Sequence, residues 1–244
     1  MKTNPTMASG KEGYEQLYLD ADKRFKPFLK FMKLSSLKNK RVLDDGCGCG
    51  WLTDYLQKKA KNNDFYGIDP FEEDIEYGKK KNKNIKYMME NGENLPFKDN
   101  YFDYLISHEI LEHVKNPYKY VKEMSRVLKP NSFAFFSTPN KFFPYEFHYR
   151  VPLINLLPGF LFSKFVKLYS KRYVKKLLSK YNFKIEHDIV VELVKDPSEV
   201  FFQRKFLNIL HTFYNLSKRL KVDNIYIRLL SSVLPQKYII KKIK

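Results

Sequence analysis

Cysteine is nearly absent from this sequence, and a long apolar run is missing altogether. Only two cysteines occur among the 244 residues, Cys47 and Cys49, with one glycine between them. That separation is too short for a structural disulfide, and a zinc site needs further ligands close by. No run of about 18 apolar residues is present, and the N-terminus has no apolar segment of the secretory kind. We therefore expect a cytoplasmic protein with no bound metal and no membrane span.

Acidic residues are scarce in the C-terminal part of the chain. Residues 139–244 hold 21 Lys and Arg against 7 Asp and Glu, whereas residues 1–138 hold 24 against 20. The C-terminal part therefore carries +14 of the net charge of +18. A positive field of this kind attracts phosphates, nucleic acid or acidic lipid headgroups. A lysine-rich surface that binds nothing explains the same charge equally well.

Short apolar runs alternate with stretches of helical character from residue 41 to residue 138. This alternation is typical of a βαβ series and a parallel sheet. The predicted strands are Arg41–Asp45, Phe65–Asp69, Ile85–Met88, Phe102–Ser107 and Ser132–Ser137. The predicted helices are Trp51–Lys61, Glu72–Asn82 and Pro117–Leu128. Lys129 and Pro130 end the third of these helices.

Further helices are predicted on either side of this series. Residues 14–34 have helical spacing, and we expect them to lie across the mouth of a nucleotide site. A strand is predicted from Phe183 to Val194. Residues 198–220 place apolar side chains three and four positions apart, which predicts an amphipathic helix capped by Ser198. Residues 237–243 read as a last strand, so that residues 198–234 form a helical insertion within a terminal antiparallel hairpin.

Three of the nine glycines alternate in a single turn, within the segment Asp44–Gly50. Without side chains the backbone can bend sharply and approach a ligand, and the start of the following helix offers unpaired N–H groups. Asp69 ends the next predicted strand, 19 residues after Gly50, where a carboxylate can accept both hydroxyls of a ribose. The pattern predicts a nucleoside site, although its glycine spacing departs from the G-x-G-x-x-G pattern of dinucleotide-binding folds.

Five segments carry motifs in a fixed order. They are Val42–Gly50, Tyr66–Asp69, Gly92–Asp103 with "LPF" and "FD", Leu105–Val114 with "LEHV", and Arg126–Asn131, which reads "RVLKPN". In this order they resemble the motifs of class I S-adenosylmethionine (SAM)-dependent methyltransferases, among them the type 11 and quinone-pathway O-methyltransferases. Asn131 stands where that family has a turn glycine. The resemblance covers roughly residues 40–140.

The resemblance implies an α/β fold: a Rossmann-like, doubly wound, mostly parallel seven-stranded sheet with an antiparallel last strand and a C-terminal helical insertion. Residues 1–244 would form one methyltransferase domain. Its expected parts are an N-terminal helical lid (1–38), a SAM-binding core (39–138), an acceptor loop and helix (139–180), and terminal strands (181–244) that enclose the insertion.

The resemblance also implies contacts with the cofactor. Asp44, Gly46 and Gly48 would hold the amino-acid part of SAM, and Gly50 would let the helix begin close to it. Asp69 would accept the ribose hydroxyls. The remaining cofactor-binding positions are Pro70 on the adenine face, Asn91 and Gly92 at the adenine edge, Ser107 near the sulfonium, and Cys47, a small filler of the turn. Asn91 replaces the family's usual Asp, but its amide oxygen can still accept a hydrogen bond.

Three histidines are candidate catalytic residues. His108 is the best placed, at the carboxyl end of the fourth strand, because imidazole can accept a proton near neutral pH. His148, in the aromatic loop after the fifth strand, is a second candidate. His113 is a third, next to Glu112 on a predicted helix, where capping or packing explains it better. Because the sulfonium is already activated, positioning supplies most of the acceleration, and a base is needed only where oxygen or nitrogen loses a proton.

The acceptor is less well defined by the sequence. The loop after the fifth strand resembles those of enzymes that act on small or lipid-linked phenols and glycans, which favours methylation at oxygen. An RNA methyltransferase and a non-catalytic SAM- or nucleic-acid-binding protein are the alternatives. The basic helix within residues 198–220 suggests peripheral contact with an anionic membrane; otherwise its apolar face would cover the sheet or the substrate pocket.

Overall fold

The computed structural model describes residues 10–19, 38–142, 145–146, 151–152, 167–195 and 204–244, together with Ala21, Phe25 and Leu29. The strands are β1 Arg41–Asp45, β2 Asp64–Asp69, β3 Ile85–Met89, β4 Phe102–His108, β5 Leu128–Thr138, β6 Tyr145–Glu146, β7 Val151–Pro152, β8 Phe183–Asp188 and β9 Gln236–Lys242. The helices are α1 Gly10–Leu19, α2 Trp51–Lys59, α3 Glu72–Lys81, α4 Pro117–Val127, α5 Lys171–Lys180, α6 Ile189–Lys195, α7 Arg204–Arg219 and α8 Asp223–Val233.

Seven strands form one sheet in the order β3-β2-β1-β4-β5-β9-β8. Strands β1 to β5 pair in parallel, and β9 runs antiparallel to both of its neighbours, β5 and β8. The expected doubly wound, mostly parallel sheet is therefore confirmed. Because the strand order reverses between β1 and β4, the crevice beyond their carboxyl ends is where open α/β sheets bind ligands.

The sheet separates two hydrophobic cores. Val42 and Ile106 point into the core that α1, α2 and α3 cover, whereas Leu43 and Leu105 point into the core covered by α4 and α5. All four side chains are fully buried. Neighbouring residues of a strand face opposite sides of a sheet, so this alternation shows that β1 and β4 are buried on both faces, as parallel strands require.

Helix α4 shows how local sequence sets the ends of an element. The side-chain oxygen of Asn116 accepts hydrogen bonds from the backbone N–H of Tyr118 and of Lys119, both at 3.1 Å, and Pro117 occupies the first turn. The helix ends at Val127. Beyond it Asn131 has φ 62°, the left-handed conformation that a turn glycine would adopt, and asparagine tolerates it better than most residues do.

The guanidinium of Arg126 holds the loop between β3 and β4 against α4. It donates to the carbonyls of Phe97 at 2.6 Å and Leu95 at 2.9 Å. It also pairs with the carboxylates of Glu123 and Asp99 at 2.7 and 2.9 Å. The "RVLKP" motif thus fixes the loop between β3 and β4. This loop begins near Gly92, where the resemblance places the adenine ring.

Helix α1 is anchored to helix α2 by a buried carboxylate. Asp54 of α2 is 1% exposed and accepts hydrogen bonds from Tyr14 of α1, from Asn82 at 2.5 Å and from Lys58 at 2.9 Å. Three donors satisfy a charge that would otherwise be costly to bury. Ala21, Phe25 and Leu29 are also helical, which agrees with the helix expected over residues 14–34 at the described positions.

The strand expected from Phe183 to Val194 is wrong in its second half. Strand β8 ends at Asp188, and the next seven residues form helix α6. A carboxylate oxygen of Asp188 accepts from the backbone N–H of Val191 at 3.4 Å, as a residue at a helix start does. Val191 and Val194 then face inward, three positions apart. The β-branched run favoured a strand locally, and packing overrode that preference.

Two other expectations can be compared only in part. The cap expected at Ser198 lies outside the described residues, and helix α7 is described from Arg204. The insertion between β8 and β9 is mainly helical, as expected: its described residues form α6, α7 and α8, with a turn at residues 220–222. Among the described helices, none combines the length and the apolar content that crossing a membrane would require.

The carboxyl group of Asp45 lies in the interior, although a charged side chain at this position would be expected to face solvent or a turn. The residue is 2% exposed, and its Oδ2 atom has no hydrogen-bond partner among the described residues. Burial first, and then the nearby charge of Asp44, raise the pKa of Asp45 to about 8, and a hydrogen bond with Tyr120 opposes this increase. The carboxyl group is packed against Gly92: a Cβ atom on that glycine would lie 2.5 Å from Asp45 Oδ1.

Replacing Asp45 by Val should stabilise the protein, and more so at pH 7.5 than at pH 5. The folded-state pKa lies above the ordinary value of 3.8, so the folded chain holds a proton that the unfolded chain releases, and the stability cost grows between about pH 4 and pH 8. We expect a gain of about 1–3 kcal/mol in unfolding free energy near neutral pH, typical of removing a buried polar group that is left partly without hydrogen-bond partners. Urea unfolding at both pH values measures it.

A matched control is Asp103→Val, on the neighbouring strand. Asp103 accepts from Lys129 Nζ at 2.8 Å and from the Arg41 N–H at 3.1 Å, so its loss should destabilise the fold at neutral pH. A loss of stability in Asp45→Val at both pH values would show that the hydrogen bond with Tyr120 outweighs the cost of burying the Asp45 carboxyl group.

Candidate functional site

The turn from Gly46 to Gly50 joins β1 to α2 and is anchored to β2. The backbone N–H groups of Gly46 and Cys47 both donate to the carbonyl of Ile68 at 2.9 Å. All three alternate glycines have positive φ: 83° at Gly46, 51° at Gly48 and 82° at Gly50. Residues with a side chain rarely adopt this region. The alternation of glycine therefore follows from backbone conformation.

Two side chains pack where these glycines lack one. A Cβ atom on Gly46 would lie 2.1 Å from Cδ1 of Ile110, and a Cβ atom on Gly50 would lie 2.2 Å from the hydroxyl of Tyr87. Ile110 reaches Gly46 because Glu109, at the end of β4, has φ 59° and turns the chain there. No sequence signal marks Ile110 or Tyr87 as a site residue, because each meets the turn only through tertiary packing.

Asp69 connects the end of β2 directly to the glycine turn. One carboxylate oxygen accepts from the backbone N–H of Gly48 at 2.9 Å, and the other accepts from the N–H of Phe71 at 3.0 Å. The residue is 7% exposed. The two features that the sequence predicted to face each other, the turn and the carboxylate, are therefore in hydrogen-bond contact.

Asp44 is a second carboxylate at the base of the turn. It is 2% exposed, and one of its oxygens accepts from the hydroxyl of Thr53, in the first turn of α2, at 2.6 Å. Thr53 was not predicted as a site residue, since a threonine at that position carries no distinctive sequence signal. The charges of the two carboxylates, Asp44 and Asp69, lie close enough to affect each other.

The electrostatics of this pair favour a cation. Burial raises the pKa of Asp44 to about 7, the charge of Asp69 contributes to the increase, and the hydrogen bond from Thr53 opposes it. Burial also raises the pKa of Asp69 to about 6, against the opposing bonds from Phe71 and Gly48. A positively charged ligand beside these groups would favour their ionised forms and lower both pKa values.

The tip of β4 presents two side chains to opposite faces of the sheet. Ser107 is fully buried, and its hydroxyl lies 2.8 Å from that of Tyr120 on α4. His108 faces the other side, where its Nδ1 atom lies 2.7 Å from the hydroxyl of Ser137 on β5. Ser107 can therefore offer a ligand mainly its backbone, whereas the imidazole of His108 is held by the neighbouring strand.

Phe25, in the N-terminal segment, packs against this tip. The ring of Phe25 lies 5.5 Å from that of Trp51, which begins α2, and 5.1 Å from the imidazole of His108, both in edge-on contacts. One residue of the expected lid thus contacts both the helix after the glycine turn and the candidate base.

The expected adenine side is more open. Pro70 and Asn91 are exposed, and Phe71, next to Pro70, is 46% exposed. The side-chain oxygen of Asn91 accepts from the backbone N–H of Glu93 at 2.8 Å. An amide oxygen has a second lone pair, so Asn91 can cap this local turn and still accept from a ligand.

The other candidate residues lie in different settings. Cys47 and Cys49 are buried, and burial raises the pKa of both thiols, that of Cys49 to about 12, which suits fillers of the turn better than reactive thiolates. His113 is exposed on a turn rather than on the expected helix. His148 lies outside the described residues.

Comparison with known proteins gives a family and a fold. Residues 18–188 match a family model described as a methyltransferase domain. The chain is 35% identical over 130 residues to the ubiquinone biosynthesis O-methyltransferase of Coxiella burnetii, an alignment that covers 50% of this chain and 55% of that protein. The chain thus spans about half the length of the relative that it matches.

Solved structures agree on the fold. A candidate sarcosine dimethylglycine methyltransferase from Galdieria sulphuraria aligns with a TM-score of 0.62 at 16% identity, covering 98% of this chain and 94% of that one. A SAM-dependent methyltransferase from Aquifex aeolicus aligns with a TM-score of 0.55 at 23% identity, covering 72% and 90%. By its family match, the chain belongs to the methyltransferase-domain family, and its sheet has the fold seen in solved SAM-dependent methyltransferases.

Proposed function

We propose that this chain transfers the methyl group of SAM to an oxygen atom of a small-molecule or lipid-linked acceptor. The observation that carries the proposal is the 2.9 Å hydrogen bond between the carboxylate of Asp69 and the N–H of Gly48. This bond keeps a ribose-binding acid beside a glycine turn at the point where the strand order reverses.

The residues of the site fit SAM in charge and in backbone geometry. Asp44 and the glycine turn would hold the amino-acid part, Asp69 the ribose, and Pro70, Asn91 and Gly92 the adenine. The raised pKa values of Asp44 and Asp69 suit a ligand that carries an ammonium and a sulfonium charge. When bound, SAM supplies a methyl group on a positively charged sulfur that is already activated for transfer.

His108 is the proposed general base. Ser137 Oγ also accepts from the N–H of Glu109 at 3.2 Å, which fixes this hydroxyl against β4 and so orients the imidazole beside it. In the tautomer that donates from Nδ1 to Ser137, the Nε2 atom keeps a lone pair that can accept the proton of a phenolic hydroxyl. The enclosing contact with Phe25 limits the access of water to this histidine.

The acceptor would enter from the loop that follows β5. Thr138 and Asn140 at its start are buried, whereas Phe142 is 48% exposed and offers an apolar surface. The name of the Coxiella burnetii relative refers to ubiquinone biosynthesis and to O-methyl transfer, which supports a phenolic acceptor with an apolar part. Residues 1–38 would act as the lid over this side.

Replacing Asp69 by Ala should weaken SAM binding by about 1–3 kcal/mol, because charged hydrogen bonds to the ligand are lost. Isothermal titration with SAM and with S-adenosylhomocysteine measures the change. Asp64→Ala is the matched control: Asp64 begins the same strand, and its side chain is 64% exposed. The control should bind both ligands as the natural chain does.

A thermal-shift panel tests the ligand class itself. SAM and S-adenosylhomocysteine should raise the melting temperature, while NAD and NADP should leave it unchanged, since only a ligand of the folded state stabilises it. Stabilisation by the dinucleotides alone, or by none of the four, would refute the proposed function.

SAM affinity should increase with pH between about 5.5 and 8. Below the raised pKa values of Asp44 and Asp69, about 7 and about 6, binding of the cation must displace protons, and above them it need not. Titrations at constant ionic strength should show a gain of about tenfold or more over this range. The Asp44→Asn variant should bind SAM more weakly at pH 8, and its SAM affinity should change less with pH. An affinity that is constant or falls with pH would contradict the electrostatic argument.

Replacing His108 by Ala should lower kcat with phenolic acceptors by about 10²- to 10⁴-fold, the usual contribution of a general base, with little change in SAM affinity. Transfer from isotopically labelled SAM to a panel of phenols, followed by mass spectrometry, measures it. His113→Ala is the control and should keep its activity. If His108→Ala turns over normally at pH 7, another group removes the proton.

A further inference from the structure

The helical hairpin formed by α7 and α8 exposes an apolar surface, which we call the outer face. It comprises six side chains that are each at least half exposed: Ile209, Phe213, Leu216 and Leu220 from α7 and its end, and Ile225 and Leu229 from α8. In α7 they recur at intervals of four, three and four residues, so they form one stripe along the helix. Large exposed apolar patches on a monomer usually mark an interaction site.

The hairpin does not need this face in order to fold. A different set of side chains, on the inner side of the two helices, packs against buried Val194 and Leu234: Leu210, Tyr214, Tyr226, Ile227 and Leu230. The hydroxyl of Tyr226 also donates to the carbonyl of Leu210 at 2.9 Å and joins the two helices. The expectation that the apolar stripe covers the sheet or the substrate pocket is therefore wrong for its described members.

The charges around the outer face are almost all positive. Residues 204–233 contain six Lys and Arg and a single acidic residue. The basic side chains of Lys218, Arg219, Lys221 and Arg228 are exposed beside the apolar stripe. A second copy of the chain docked on this face would bring the same positive charge against it. An anionic lipid surface matches both the apolar stripe and the charge.

The hairpin lies at the same edge of the sheet as the candidate site. It follows β8, which runs parallel to β5, and it leads into β9, whose first residue, Gln236, pairs with Thr138 at the carboxyl end of β5. The side-chain amide of Asn140, in the loop after β5, donates to the carbonyls of Ser232 at 2.8 Å and Leu234 at 2.9 Å. The end of the hairpin is thus fixed to the loop proposed to receive the acceptor.

We infer that the outer face docks the protein in the interfacial plane of an anionic membrane. The apolar side chains would enter the boundary between headgroups and acyl chains, and the flanking Lys and Arg would contact anionic headgroups. Docking itself does not depend on methyl transfer. Its proposed role, which rests on the proposed function, is to bring a lipid-linked acceptor to the loop after β5.

Co-sedimentation of the full chain with vesicles tests the inference. The two vesicle types are phosphatidylcholine alone and phosphatidylcholine with about one third phosphatidylglycerol. We expect binding to the anionic vesicles at least tenfold stronger than to the neutral ones, decreasing as salt is added. The double variant Phe213→Ser/Leu216→Ser should lose at least tenfold in binding to anionic vesicles, and Lys218→Gln/Arg219→Gln about tenfold.

Matched controls separate the outer face from general surface effects. Ile243→Ser removes an apolar side chain that is 49% exposed elsewhere, and Lys175→Gln/Lys176→Gln removes two exposed charges from α5. Both controls should bind vesicles as the natural chain does. Every variant should keep the thermal shift with S-adenosylhomocysteine, which shows that its core is folded.

Several outcomes would overturn the inference. One is that the natural chain does not bind anionic vesicles, and another is that Phe213→Ser/Leu216→Ser binds them as well as the natural chain does. A third is a dimer in sedimentation velocity that this variant abolishes, which would make the outer face an interface between two copies of the chain. A natural chain that binds S-adenosylhomocysteine but no vesicles would reject docking alone. A chain that binds vesicles but no SAM would reject the proposed function alone.

Discussion

The hydrogen bond from the Gly48 N–H to the Asp69 carboxylate depends on most of the architecture around it. It forms because β1 and β2 are parallel neighbours whose carboxyl ends meet at one edge, and because the carbonyl of Ile68 holds the turn by two further bonds. The glycines adopt backbone conformations that side chains disfavour, and Ile110 and Tyr87 occupy the space that side chains would need. A change in the strand pairing, in the glycines or in the side chains packed against them would move Asp69 away from the turn.

The same arrangement concentrates negative charge in a strongly basic chain. Asp44, Asp45 and Asp69 are all nearly buried at the ends of β1 and β2, although the chain carries a net charge of +18. Burying carboxyl groups without cationic partners costs stability, and the raised pKa values express that cost. A bound cationic ligand would offset it at Asp44 and Asp69. Asp45 lies on the other face of the sheet, beside Tyr120, and has no such role in the proposed mechanism.

Local sequence was sufficient to predict β1 to β5, helices α2 to α4 and the glycine turn, because strand period, helix caps and backbone conformation are encoded by neighbouring residues. It failed where packing decides. Residues 189–195 form a helix despite their β-branched run, and Asp45 is buried despite its charge. Thr53 and Ile110 reach the site only through the fold, so no spacing could have indicated them. The stripe of α7 was found, but whether it faces the sheet or solvent depends on Val194 and Leu234, which are distant in sequence.

Hydrogen exchange with and without S-adenosylhomocysteine tests whether the glycine turn and Asp69 bind the cofactor, since it reports where a ligand orders the backbone without prior choice of a residue. We expect slower amide exchange on ligand binding in residues 46–50, 69–71 and 91–95, with no change in the hairpin of α7 and α8. Protection confined to the hairpin, or binding without protection in residues 46–50, would contradict this expectation.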